Sequence, residues 1–246
     1  MRDFPKGTYK LAAFGRCAPH VIGIFDSGVG GLAAYKEVRR LAPQADIVYL
    51  ADRKNAPYGT KGREELIKLV NKDVSRLREM GATDILIACC TASTVYPYIE
   101  DAARERTLPI IEPAADAAKG LHRVTVIATE HTVTVSAFGN ALKARDPSVD
   151  VMEIPVQELV KMVERGARDG EVPPDCMKCL RSVANMTRRF GSDGMILGCT
   201  HFSHLENTLG TLLPEVKIIS PAREGARKLA SIAHERLHGR GVDIYI

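Results

Sequence analysis

Two thiols of this 246-residue chain stand in matching surroundings. Ile85-Leu86-Ile87-Ala88 runs into Cys89-Cys90-Thr91-Ala92-Ser93, and Met195-Ile196-Leu197-Gly198 runs into Cys199-Thr200-His201. A short apolar run with punctuation at both ends predicts a strand buried on both faces of a parallel sheet. Each thiol then falls at the carboxyl end of its strand, where open α/β sheets place their ligands. A free thiol has a pKa of about 8.5, so it can give or take a proton near neutrality. Two such strand ends, one in each half of the chain, predict two half-sites facing each other across a cleft.

The elements that must hold these thiols alternate along the chain. A first strand, 21–25, ends in Asp26-Ser27-Gly28-Val29-Gly30-Gly31-Leu32. Its glycines let the backbone come close to a ligand, and the helix that follows, 33–41, offers its N–H groups to an anion. The spacing is G-x-G-G, which is not a dinucleotide fingerprint. A strand at 46–50 leads to Pro57-Tyr58-Gly59, a rigid turn whose N–H groups suit a carboxylate. Residues 63–80 predict an amphipathic helix with Leu66, Leu69, Val70, Val74 and Leu77 on one stripe, closed by Gly81. After the first thiol strand come a helix at 95–106, a strand at 108–111 and a crossover at Glu112-Pro113. The second half predicts strands at 124–128, 149–154 and 216–219 besides the thiol strand, with helices at 135–144, 177–190 and 223–238. Glu164 falls in or beside a helical stretch, 159–166. The fold class is therefore α/β, with mainly parallel sheets.

Composition narrows the function. The chain is 45% hydrophobic and 26% charged, with 34 basic against 30 acidic residues and a net charge of +4. That balance argues against nucleic acid as the main partner. No apolar run approaches the roughly 20 residues of a membrane span. The segment 1–20 lacks a signal peptide's apolar core, so a cytoplasmic location with reduced thiols is expected. Cys176-Met177-Lys178-Cys179 has zinc or redox spacing, but a single C-x-x-C without a second pair is a weak metal signal. Cys17, Cys176 and Cys179 read as small apolar filler, His131 and His204 as polar surface or cleft-edge residues. No metal site is expected.

The residues also resemble the glutamate racemases, within the aspartate/glutamate racemase superfamily, from Ile22 to about Leu229. The marks are Ile22 to Leu32 (I-G-I-F-D-S-G-V-G-G-L), Ala56 to Lys61 (A-P-Y-G-T-K), Ala88 to Ser93 (A-C-C-T-A-S), Thr129 to Val133 (T-E-H-T-V) and Gly198 to Phe202 (G-C-T-H-F). The resemblance implies two doubly wound α/β domains related by pseudo-twofold symmetry, with the site between them, and a racemase that needs no cofactor. The expected bounds are 21–114 with 219–246 for the first domain, 115–218 for the second, and 1–20 as an N-terminal extension. Inverting an α-carbon takes a base on one face and an acid on the other, which two opposed thiols supply. The resemblance assigns Cys89 with Asp26 to one face, and Cys199 with His201 and Glu164 to the other. Ser27, Tyr58, Gly59, Cys90, Thr91 and Thr200 would hold the substrate, with Thr129 and Thr132 in support. The implied substrate is glutamate, the implied role D-glutamate supply for cell-wall peptidoglycan, and a homodimer is a candidate assembly.

One departure matters. Glutamate racemases carry asparagine directly after the first catalytic cysteine, and here that residue is Cys90. A carboxamide offers two donors and an acceptor, a thiol only a weak one of each. Two alternatives therefore stay open: a racemase or epimerase of another amino acid such as aspartate, and a ligand-binding homologue with impaired turnover. Cys90-Thr91 also mimics Cys199-Thr200 as literally as Cys89 does; the family alignment favours Cys89.

Overall fold

The computed structural model describes residues 20–233 and 241–246. The expected extension 1–20, with Cys17, lies outside the described residues except for His20. The first half runs β1 (Val21–Asp26), α1 (Leu32–Leu41), β2 (Asp46–Ala51), α2 (Arg63–Glu79), β3 (Ala82–Ile87), α3 (Cys90–Ser93), α4 (Asp101–Arg104), β4 (Thr107–Pro109) and α5 (Ile111–Ala117). The second half continues with β5 (Arg123–Ala128), α6 (Glu130–Thr134), α7 (Ala137–Lys143), β6 (Asp150–Pro155), α8 (Gln157–Glu164), α9 (Pro174–Phe190), β7 (Gly194–Gly198), α10 (Glu206–Leu212) and β8 (Lys217–Ile219). The chain then returns through α11 (Pro221–Ala233) and β9 (Asp243–Tyr245).

Two wholly parallel sheets result, in the orders β4-β3-β1-β2-β9 and β6-β5-β7-β8. In each, the chain first winds to one side of the opening strand and then crosses to the other. The switch points thus fall between β1 and β3 and between β5 and β7, and the two thiol stretches leave their sheets there. β1 and β7 are buried along their whole length, as strands covered by helices on both faces must be. Helix α11 packs against α1, α5 and β3. Its Gly225 permits a close approach: an added Cβ would meet Ile110 Cγ1 at 2.9 Å and Leu86 Cδ1 at 3.2 Å. One apolar cluster runs through this contact, joining Ile22, Ile24 and Leu86 to Val124, Phe138, Ile219 and Leu229. The two sheets, each flanked by helices, thus form the pseudo-symmetric pair that the sequence implies, with a cleft between them.

Several expected elements differ. The helix expected at 95–106 is a 3-10 turn at Tyr96–Tyr98 followed by the single turn α4, the two separated where Ile99 and Glu100 turn extended (ψ 163° and 147°) and Asn71 Oδ1 accepts the Glu100 N–H. The strand expected at 108–111 ends at Pro109, and Ile111, Glu112 and Pro113 begin α5 instead of an open crossover. The helix expected at 135–144 is interrupted at Ser136, which adopts the left-handed conformation (φ 46°) between α6 and α7. Helix α11 starts two residues earlier than expected, and part of the expected remainder lies outside the described residues. Strand β9 was not expected; it pairs with β2 at the sheet edge, with Asp243 bound by Tyr35 and Arg39.

Helix α2 turns Leu66, Val70, Val74 and Leu77 inward, and Asp73 shares that buried face at 3% exposure. The Tyr58 hydroxyl lies 2.7 Å from Asp52 Oδ2 and 3.0 Å from Asp73 Oδ2. A phenol has one proton to donate, so bonding to both carboxyls requires a proton on one of them. Asp52 already accepts from Asn55 Nδ2. Burial, helped by the Asp52 charge, raises the Asp73 pKa to about 6, so below about pH 6 Asp73 is the group that carries the proton. A carboxyl whose folded pKa lies above its unfolded value of about 3.9 stabilises the fold below that value and loses the contribution as pH rises through 6. Asp73→Asn keeps a donor and removes the charge. It is expected to raise Tm at pH 8 by a few degrees, corresponding to about 1–2 kcal/mol, and to match wild type near pH 3, below the unfolded value. Thermal melts at the two pH values check this; a Tm lowered at pH 8 would mean that the ionised carboxylate is the stabilising form.

Candidate functional site

The site assembles from loops at the carboxyl ends of both sheets. After β3, Cys89 caps α3, and its Sγ accepts the Ala92 N–H at 3.4 Å. Ser27, from the loop after β1, brings its Oγ to 3.5 Å from the same sulfur. Behind Ser27, the fully buried Asp26 accepts the Gly28 N–H through Oδ1 at 2.8 Å and the Thr200 hydroxyl through Oδ2 at 3.1 Å. Tyr49 fixes the loop from below by donating to the Gly28 carbonyl at 3.0 Å. In the second half, Cys199 Sγ stands 3.6 Å from His201 Nδ1, and His201 Nε2 stands 3.6 Å from Glu164 Oε1 at the end of α8. That second separation suits an ion pair and is too long for a good hydrogen bond.

Three hydroxyls join the halves at one side. Thr91 Oγ1 lies 3.1 Å from Thr129 Oγ1 and 3.4 Å from Thr132 Oγ1, and those two lie 2.9 Å apart. Nearby, Thr94 Oγ1 meets His131 Nε2 at 3.2 Å. Gly30 closes the opposite side, where an added Cβ would run into the Thr200 hydroxyl and come 2.9 Å from His201 Nδ1. Only a residue without a side chain lets the two loops meet there.

One cavity of about 30 Å³ lies between these groups. Ser27, Tyr58, Gly59, Cys89, Cys90, Thr91, Thr129, Glu164, Cys199, Thr200 and His201 line it, all of them expected site residues. Two further expected residues stand behind its wall: Asp26 beneath Ser27, and Thr132 beneath Thr91 and Thr129. Gln157 and Val160 of α8 also line the cavity, and sequence reasoning missed them. The amphipathic stretch carrying Glu164 was the available signal, since residues three, four and seven apart share a helix face. A larger cavity of about 650 Å³, bordered by Arg63, Tyr96, Tyr98, His131 and Arg145, contains no thiol. The chemistry therefore belongs to the smaller one. Cys176 lies in the core of the second half and Cys179 packs against it.

Burial controls the electrostatics of the thiols. It pushes the Cys89 thiol up to about 11, with the Asp26 charge adding and the Ser27 and Ala92 hydrogen bonds opposing. Cys199 is raised by burial too, against the His201 N–H and with the Cys89, Asp26 and Glu164 charges adding. Cys90 is raised well above its ordinary value, again by burial, and next by Cys199 and Cys89. Neutral thiols fill this closed cleft, and a positive charge entering it would favour a thiolate.

Comparison with known proteins agrees with this geometry. The family model Asp/Glu/Hydantoin racemase matches residues 22–229. A glutamate racemase of Geobacter metallireducens is 36% identical over 218 residues, which cover 86% of this chain and 79% of that one. One from Desulforudis audaxviator is 34% identical over 215 residues, 85% of this chain and 78% of the relative. Among solved structures, glutamate racemase from Francisella tularensis in complex with D-glutamate superposes with a TM-score of 0.78 at 27% identity, covering 92% of this chain and 86% of that one. Aspartate racemase from Picrophilus torridus shares the fold, with a TM-score of 0.64 at 18% identity over 89% of this chain and 99% of that one. With its motifs, its paired sheets and a family match over most of its length, the chain belongs to the Asp/Glu/hydantoin racemase family.

Proposed function

We propose that this racemase interconverts L- and D-glutamate without a cofactor, by proton transfer between the substrate α-carbon and two opposed thiols. The observation that carries the reading is the pair of buried thiols, Cys89 and Cys199, on one small cavity between two pseudo-symmetric sheets. We read residues 21–114 with 219–246, and 115–218, as the two domains. In one direction Cys89 as thiolate takes the α-proton, and the electron pair left on carbon spreads into the α-carboxylate. The Cys199 thiol then donates its proton to the opposite face and becomes the thiolate. The opposite enantiomer is thereby formed, and the enzyme stands ready for the reverse reaction. Asp26 attends Cys89, while His201 and Glu164 attend Cys199. The hydroxyls of Ser27, Thr91 and Thr200 and the lip Tyr58-Gly59 hold the carboxylates, backed by Thr129 and Thr132.

Cys89 is the better candidate than Cys90 for the first base. Its sulfur is hydrogen-bonded to Ser27 and the start of α3, whereas Cys90 packs into the apolar cluster with Ala88. The presence of Cys90 where glutamate racemases have asparagine favours a second reading, racemisation of another amino acid such as aspartate. Free thiols suit the reducing cytoplasm, where D-glutamate for peptidoglycan would be made.

Cys89→Ser and Cys199→Ser are each expected to lower kcat/KM by about 10²–10⁴-fold with Tm close to wild type. Measured in deuterated water, the wild type should exchange the α-proton of both enantiomers. Full racemisation by either variant would sink the two-thiol mechanism, and an active Cys89→Ser beside an inactive Cys90→Ser would move the base to Cys90. A thiol held near 11 is protonated at neutral pH, so the reactive thiolate fraction grows as pH rises. kcat/KM in both directions is accordingly expected to climb between pH 6 and 9; a flat profile there would contradict the thiol-first resting state.

A further inference from the structure

Gln157 opens α8 and reaches the thiol cavity from the second half of the chain. Its Oε1 is buried and has no hydrogen-bonding partner among the described residues. A carbonyl oxygen kept from both water and protein donors loses solvation and gains nothing in return, so the fold does not account for its place. The carboxamide lies against the cavity lip, since an added Cβ on Gly59 would come 2.9 Å from Oε1. Cys90 lines the same cavity, at the position where glutamate racemases have a carboxamide. A thiol is too weak a donor and acceptor to replace that group.

We infer that Gln157 is a substrate-binding residue: its Oε1 accepts a hydrogen bond from the ammonium group of the amino acid, providing from the second half the amide contact that Cys90 does not provide from the first. The assignment rests on the amino-acid racemase reading of the cavity and goes beyond it by naming a residue and the group it recognises. A neutral acceptor suits the reaction, because it orients the ammonium group without adding another negative charge beside two thiols that must ionise. The contact is the same for both enantiomers and in ground and transition states, so it should appear in KM and leave kcat little changed.

The test is steady-state kinetics of Gln157→Leu and Gln157→Glu on L- and D-glutamate, with thermal melts of both. Gln157→Leu is expected to raise KM about ten- to a hundredfold, the range of a lost hydrogen bond to a charged group, with kcat within about threefold. Its Tm should equal or exceed wild type, since an unpaired buried acceptor has been removed; a structural residue would give the opposite sign. Gln157→Glu keeps an acceptor and is expected to retain a KM within about threefold of wild type. Wild-type KM in Gln157→Leu would overturn the inference. So would a Gln157→Glu variant as impaired as the leucine variant, which would mean that the side chain faces a carboxylate. If the wild type itself neither racemises nor exchanges the α-proton of L- or D-glutamate or either aspartate, the racemase reading fails first. If the wild type turns over and Gln157→Leu matches it, the assignment of Gln157 alone fails.

Discussion

Asp26 is a fully buried carboxylate with one hydrogen-bond donor from each half of the molecule, the Gly28 N–H and the Thr200 hydroxyl. A buried charge without partners costs several kcal/mol, and removal of either donor exposes the structure to that cost. The carboxylate therefore fixes the loop after β1 and the loop after β7 relative to each other. Gly30 and Gly31 make this possible. An added Cβ on Gly30 would strike the Thr200–His201 backbone and side chains, and one on Gly31 would come 2.5 Å from Asp26 Cβ. The arrangement of Cys89 and Cys199 around one cavity follows from this link, because Cys199 directly precedes Thr200 and Cys89 is hydrogen-bonded to Ser27, the residue after Asp26.

The two sulfurs are equivalent in topology and unequal in surroundings. Both leave a central strand at a switch point, which is what the pseudo-twofold arrangement demands. Yet Cys89 meets a hydroxyl, a helix N–H and a negative neighbour, while Cys199 meets an imidazole backed by a half-exposed carboxylate. Burial dominates both and holds them as thiols. In the proposed reaction only one need ionise at a time, so a single positive charge on the substrate is enough to offset the penalty. Mutual repulsion between the sulfurs then disfavours ionising the second one.

Much of this was legible in the sequence because the informative features are local. An apolar run of four residues followed by a cysteine and a small hydroxyl residue specifies a buried strand and what it delivers. The glycines of the 28–31 turn and the Pro57-Tyr58-Gly59 turn announce close approach in the same way. What was missed depends on contacts distant in sequence. Gln157 and Val160 share a helix face with Glu164, but that this face of α8 meets the thiol cavity depends on its packing against residues far along the chain. Strand β9 has three residues and is held by Tyr35, Arg39 and the edge of β2, all some 200 positions away in the chain. The break in the helix expected at 95–106 comes at Ile99 and Glu100, where the Glu100 N–H goes to Asn71, a partner 29 residues away that the local residue types do not announce.

The hydroxyl cluster of Thr91, Thr129 and Thr132 supplies the last constraint on how such a site can work. A cavity of about 30 Å³ holds a water molecule or two and cannot admit an amino acid. The Thr91–Thr129 and Thr91–Thr132 contacts, the Thr200–Asp26 bond and the Thr94–His131 contact all cross between the halves, so any separation that admitted a substrate would have to break them together. Each is a neutral or singly charged hydrogen bond of modest net worth, since water replaces it on opening. Opening also hydrates the sulfurs, which lowers the burial penalty on their thiolates. In the proposed reaction the same movement would both admit the substrate and ease ionisation of the base. Closure over a bound ammonium in that reaction would return the thiolate to a dry cavity with a compensating charge beside it, and proton transfer would then proceed away from competing water.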